Sequence, residues 1–138
     1  MDLGDPAAVG FLLGRILFGA TIAFMGLNHF LDFGTMSGYA EAKGIPAPTA
    51  SVLGSGVILV LGGIGLIFGV LPVLSGVLVS LFLLVAAVTM HDFWAVPDEQ
   101  QQAEMTQFLK NIVMAGGAIA IAALGTLDWP YSLGITLV

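Results

Sequence analysis

The sequence predicts an all-α integral membrane protein, a four-helix transmembrane bundle with a short interfacial helix between its first two spans. Three observations carry this prediction. Of the 138 residues, 58% are hydrophobic and only 9% are charged, and mean hydropathy is +1.04, whereas a soluble domain keeps about 25% charged residues for its surface. The apolar residues fall into four runs, each long enough to cross a bilayer. The breaks between these runs hold the prolines and most of the charges. The length fits one transmembrane domain over residues 1–138.

Helix 1 is expected over about residues 6–32, with Asp5 as its N-cap and Pro6 as its first helical residue. At about 100° per residue, Arg15, Gly19, Ile22, Gly26 and His29 share one stripe. A cation and an imidazole on a membrane helix must look at protein or water, so the other helices are expected to cover this face. The first ten residues, MDLGDPAAVG, lack the basic region and small-residue cleavage site of a signal peptide, so the apolar segment is expected to be retained.

The polar connection that follows contains MSGYAEAKG, which suits an interfacial helix with Tyr39 at headgroup depth. Gly44-Ile45-Pro46-Ala47-Pro48 breaks it. Helix 2, about residues 49–70, is rich in glycine, which in lipid permits close helix approach; Gly65 and Gly69 repeat the spacing of Gly10 and Gly14. The connection Leu71-Pro72 is so short that helices 2 and 3 must form an antiparallel hairpin. Helix 3, about residues 72–91, carries Ser80, Ala87 and His91 on one stripe. A loop over 92–104 holds Trp94 as an interfacial anchor together with Asp92, Asp98, Glu99 and Glu104. Helix 4, about residues 105–127, begins with Lys110-Asn111 one turn inside and passes through Gly116-Gly117. Asp128-Trp129-Pro130-Tyr131 ends it with aromatic residues suited to the membrane interface, and the remaining tail is too short to span.

Four crossings place both termini of a multi-pass cell-membrane protein on one side, A, and the two longer loops on side B. Lys43 and Lys110 lie near side B, which the positive-inside rule makes cytoplasmic. The net charge of −6, from three basic and nine acidic residues, argues against nucleic acid and against docking on anionic lipid through a basic patch. An acidic, lysine-poor exterior such as PDEQQQAE is what proteins of salt-loving organisms carry. With no cysteine in the chain, disulfide scaffolds, thiolate metal sites and dithiol redox chemistry are excluded.

The titratable residues converge on side B. Helix 1 brings Asn28, His29 and Asp32, helix 3 brings His91, Asp92 and Trp94, and helix 4 leaves with Lys110 and Asn111. Arg15 lies 14 residues before His29, about 21 Å along a helix, so these two do not touch. The candidate cofactor-binding residues are therefore His29, His91, Arg15, Asn28, Lys110, Asn111, Asp92 and Trp94. Imidazole titrates near neutrality and can pass a proton or bind a quinone headgroup, and a guanidinium offers five donors to a quinone carbonyl or an anion. Structural roles compete with these: Arg15 paired with Asp5 or Asp128 or snorkelling to side A, the histidines bonded to loop carbonyls, Lys110-Asn111 as a helix-start cap. A metal held by the histidines with Asp32 or Asp92 matches no known ligand spacing. Bis-histidine haem is disfavoured by the membrane-edge position of both rings.

At these residues the chain resembles the DoxX family of small four-helix membrane proteins. The resemblance runs from about Gly10 to Leu127. It is carried by Gly14-Arg15-Ile16-Leu17 with Gly19 and Gly26, by Gly44-Ile45-Pro46-Ala47-Pro48 with Gly62-Gly63, by AAVTMHDFW over 86–94, and by FLKNIVMAGG over 108–117. Two departures stand out: many members have Lys where this chain has His29, and a mid-membrane Glu where it has Leu59. A pair between Arg15 and a helix 2 carboxylate is therefore ruled out. The resemblance implies association with membrane oxidoreductases: terminal quinol oxidase and thiosulfate:quinone oxidoreductase among archaeal relatives, and a redox-homeostasis complex among mycobacterial ones. It assigns no catalytic residue. Three functions follow as expectations: a subunit or partner of a quinone-linked redox assembly, a non-catalytic scaffold or homo-oligomer, and a small-molecule carrier.

Overall fold

The structure, a computed structural model, describes residues 4–137. Five helices follow in order: α1 (Pro6–Leu31), α2 (Phe33–Ala42), α3 (Pro48–Phe68), α4 (Pro72–Met90) and α5 (Asp98–Ala123), with a single 3₁₀ turn at Phe93–Ala95 between the last two. Helices α1, α3, α4 and α5 are long and apolar enough to cross a membrane. The fold is the all-α, four-helix transmembrane bundle that composition and patterning predict, and α2 is the short helix between the first two spans.

Local chemistry sets the ends of the helices. Asp5 accepts a hydrogen bond from the Ala7 N–H at 2.9 Å through Oδ1, and Pro6 takes the first helical position, where its missing N–H costs nothing. Gly69 closes α3 in the left-handed region at φ 66°, a conformation glycine reaches without a Cβ penalty. Leu71 follows at φ 46° and Pro72 opens α4, so the hairpin turns in the few residues the sequence allots to it.

Packing follows the stripe read from helix 1. Arg15, Gly19, Ile22 and Gly26 are all buried, and His29 at the end of the stripe is half-buried. The reason for the glycines is close approach to α3. A Cβ on Gly19 would lie 2.6 Å from the Ile67 Cγ1, and one on Gly26 would lie 2.7 Å from the Leu59 Cβ and the Val60 nitrogen. In lipid, where apolar burial gives little drive for helices to associate, such backbone proximity supplies the attraction. Gly10 and Gly14, earlier on α1 and with the same spacing as Gly65 and Gly69, leave room for a Cβ with nothing within 4 Å. At the centre of the bundle Ile22, Leu59, Val79, Leu83, Ala115 and Ala118 form one core cluster, with Phe18, Met25, Phe82 and Met114 packed around it.

Two boundaries depart from expectation. Helix α5 starts at Asp98 rather than Met105, so its first two turns are polar and stand outside the apolar run. It ends at Ala123 rather than Leu127, and the chain then folds back over the α3–α4 hairpin. There the Leu133 N–H donates to the Phe68 carbonyl at 2.8 Å and the Leu71 N–H to the Ile135 carbonyl at 2.6 Å. The segment after Asp128 is thus a strap across one end of the bundle. That end is called the hairpin end below, and the opposite one, with α2 and the 3₁₀ turn, the loop end.

Candidate functional site

The candidate residues separate into two groups that the bundle holds far apart. Arg15 belongs to the hairpin end. Its side chain has no solvent exposure, and its guanidinium donates to the Pro130 carbonyl at 3.1 Å and to the Tyr131 carbonyl at 2.8 Å. The guanidinium carbon lies 5.3 Å from the centre of the Phe11 ring and 5.0 Å from that of Trp129. Trp129 is itself fixed by its indole N–H, which donates to the Leu124 carbonyl at 2.7 Å, and by an edge contact with Phe11 at 5.0 Å. Asp5 and Asp128 are not its hydrogen-bonding partners: backbone carbonyls and aromatic faces serve that role, and among the described residues its Nε has no partner. The cation holds the C-terminal strap.

At the loop end, Met25 of α1, His91 just after α4, and Thr106, Gln107, Leu109, Lys110, Asn111, Val113 and Met114 of α5 line a groove of about 650 Å³. Three candidate residues, His91, Lys110 and Asn111, meet here. Asn111 is only 7% exposed, and its amide takes part in no hydrogen bond among the described residues. His91 is oriented by a second residue: its Nδ1 donates to Glu104 Oε2 at 2.9 Å. Because a carboxylate accepts, this bond places a proton on Nδ1, and in the neutral imidazole Nε2 is then the acceptor.

A polar network on the aqueous side of the groove holds that pair. The Tyr39 hydroxyl donates to the Met90 carbonyl at 2.9 Å and stands 3.4 Å from Glu104 Oε1. Lys43 Nζ pairs with Asp92 Oδ1 and lies 5.7 Å from the centre of the Tyr39 ring. The bond to Asp92 raises the pKa of Lys43. Burial, then the neighbouring Glu104 carboxylate, raises that of the Tyr39 phenol. Together these contacts tie α2 to the start of α5 and to the end of α4.

The remaining candidates lie outside the groove. The Nδ1 of His29 donates to the Met25 carbonyl one turn earlier at 2.9 Å, and its ring lies 6.0 Å from Phe82, edge to face. Asn28 is half-buried and its carbonyl accepts from the Asp32 N–H at 2.9 Å. Asp92 is committed to Lys43. Trp94 is an exposed member of an aromatic cluster with Phe93 and Phe108, beside a smaller hollow of about 290 Å³. Sequence reasoning missed Glu104 as the partner of His91, Tyr39 as a partner of Glu104, and Thr106 and Gln107 as groove residues. A signal for Glu104 was present: Asp98-Glu99 directly after Pro97 favours a helix start there, and a helix from that point carries Glu104 to the bundle. Among the described residues no group of three His, Asp or Glu side chains is placed to hold a metal ion.

A family model described as DoxX matches residues 10–92, which is well over half of the chain. No curated protein and no solved structure matches it. The matched region contains Arg15, Met25 and His91 but ends before α5, so the opposite wall of the groove, with Glu104, Lys110 and Asn111, lies beyond it.

Proposed function

The chain belongs to the DoxX family of multi-pass membrane proteins, which is associated with redox-related proteins, and from that premise we propose that it is a small membrane subunit or partner of a quinone-linked oxidoreductase or redox-homeostasis assembly. The groove at the loop end receives the headgroup of the quinone. The observation that carries this reading is the Asn111 amide, which makes no hydrogen bond among the described residues and lines the groove beside His91, whose Nδ1 is held by Glu104. A quinone carbonyl accepts from the Asn111 amide or from Lys110; a quinol hydroxyl donates to Asn111 Oδ1 or to His91 Nε2. Met25, Val113 and Met114 supply the apolar wall, and the groove is of the size that holds a small-molecule headgroup, roughly 300–1,000 Å³.

The centre of the bundle argues for a binding module rather than a carrier. Between Arg15 and His29 the interior is filled by Ile22, Leu59, Val79, Leu83 and Ala118. The test is equilibrium binding of a short-tailed quinone to the purified protein in lipid nanodiscs. Wild type binds, Asn111→Leu and His91→Ala each weaken binding at least about ten-fold, as losing one hydrogen bond to a buried polar partner does, and Arg15→Met leaves it unchanged. Equal affinity in all four proteins would remove the groove as a quinone site and leave the scaffold role.

A further inference from the structure

We propose that His91 and Glu104 form an acid–base pair that takes the hydroxyl proton of a quinol or phenol-type headgroup bound in the groove and delivers it to water at the rim beside Tyr39. This inference rests on reading the groove as a quinone site, and it adds a direction for the proton and two residues that do not themselves line the groove.

The geometry carries it in three steps. His91 is the member of the groove wall with an open acceptor nitrogen, because Nδ1 is committed to Glu104 Oε2 at 2.9 Å. Glu104 reaches the other way: its second oxygen, Oε1, faces the Tyr39 hydroxyl at 3.4 Å. That hydroxyl has one proton, and the shorter bond of 2.9 Å sends it to the Met90 carbonyl. The phenol oxygen is left able to accept from Glu104 when Glu104 carries a proton. Tyr39 is 40% exposed, so the chain of groups runs from the groove to the surface. The three groups along it come from separate parts of the chain: the residue that follows α4, then α5 and α2.

The transfer balances without an electron leaving the protein. The O–H bond of the headgroup breaks, its electron pair stays on the headgroup oxygen, and an N–H bond forms at Nε2. The product is a ligand oxyanion beside an imidazolium whose charge faces Glu104. The imidazolium then releases a proton through Glu104 to water. The charged groups around His91 are Glu104 and Lys110 on α5, the adjacent Asp92, and Lys43 on α2, with Tyr39 as the titratable neighbour. Lys43 and Asp92 neutralise each other, so Glu104 is the carboxylate left to balance an imidazolium.

The experiment uses an alkyl hydroxynaphthoquinone, whose visible colour changes when its hydroxyl ionises, bound to the purified full chain in nanodiscs. In wild type the ratio of ionised to neutral bound probe exceeds that of probe in empty nanodiscs at the same pH. Glu104→Gln keeps the hydrogen bond to Nδ1 but removes the charge, and is expected to lower that ratio about ten-fold while probe still binds, the lower end of what an opposite charge at this range does to an ionisation. Glu104→Asp restores part of it. Should Glu104→Gln fail to fold, His91→Gln serves instead: it can hold the headgroup but cannot take its proton, and the excess ionisation is expected to vanish. An unchanged ratio in a folded variant that binds the probe overturns the acid–base pair and leaves the quinone site standing. Absence of probe binding to wild type overturns both.

Discussion

Replacing Gly63 by alanine tests the contact between α1 and α3 from which the rest of the bundle is hung. A Cβ there would overlap the Gly19 carbonyl oxygen and lie 2.7 Å from the Ala23 nitrogen and 3.0 Å from its Cβ. Backbone cannot swing aside as a long side chain does, so the two helices must part. Overpacking of this kind costs about 1–3 kcal/mol, and the better helix propensity of alanine returns up to about 1 kcal/mol. The net expectation is a loss of about 1–2 kcal/mol. Gly116 is the matched control. It is exposed, and a Cβ there meets nothing within 4 Å, so Gly116→Ala keeps the propensity gain and is expected to be neutral or stabilising by up to about 1 kcal/mol. The two variants should therefore lie about 1–3 kcal/mol apart, the overpacking cost alone, since both share the propensity gain. Reversible unfolding in mixed detergent micelles, followed by helical circular dichroism, measures both. Equal shifts in the two variants would refute the argument, because then the cost would belong to glycine as such and not to the approach of α1 to α3.

Three further outcomes follow from the same packing. Arg15→Met removes two hydrogen bonds from a charged donor, each worth about 1.5–3 kcal/mol in general, but also a buried cation, so global stability is expected to change less than strap attachment; faster carboxypeptidase trimming of the chain end with little change in unfolding midpoint is the expected pair of results. Leu83→Ala empties part of the central core, and because lipid removes most of the transfer cost, roughly 1–2 kcal/mol from lost packing is expected in the same unfolding assay. Lys43 has its pKa raised in the folded protein by the bond to Asp92, so its contribution is full below the ordinary lysine range and disappears as pH climbs through the raised value. Lys43→Gln is accordingly expected to cost about 1 kcal/mol or less at neutral pH, with the difference from wild type closing in strongly alkaline buffer, or in acid strong enough to protonate Asp92, whose pKa the same bond lowers; a difference that closes already at mildly acid pH would contradict the assignment.

The fold was legible because in a membrane the rules are few. Backbone polar groups must be satisfied within each span, so four long apolar runs can only be helices, and Leu71-Pro72 leaves no room for anything but a hairpin. The stripe on α1 was legible as well, since Arg15, Gly19, Ile22 and Gly26 share a face by arithmetic alone and are buried together. What the arithmetic did not reach was the identity of the facing atoms. Arg15 is satisfied by the carbonyls of Pro130 and Tyr131, and backbone acceptors have no letter in the sequence; a search for a carboxylate partner passes them by.

The site divides along the same line. His91, Lys110 and Asn111 were gathered correctly at one end by counting turns, and they do line one groove. His29 was gathered with them by the same count, yet it turns its Nδ1 back to the Met25 carbonyl on its own helix. Position along a helix fixes the depth of a residue, whereas its azimuth against neighbouring helices depends on how those helices pack. Glu104 failed to appear for a different reason. Hydropathy locates the part of a helix that lies in lipid, and α5 continues for two turns beyond it, starting at Asp98. Those two turns are polar because they stand in water and helical because the apolar part below them is already nucleated, so each added residue gains a bond at little further cost. The extension carries Glu104 up to His91 and Tyr39. The polar end of the groove is therefore built by residues whose composition reads as loop, and the chemistry of the site depends on the stretch of α5 that a membrane-span criterion discards.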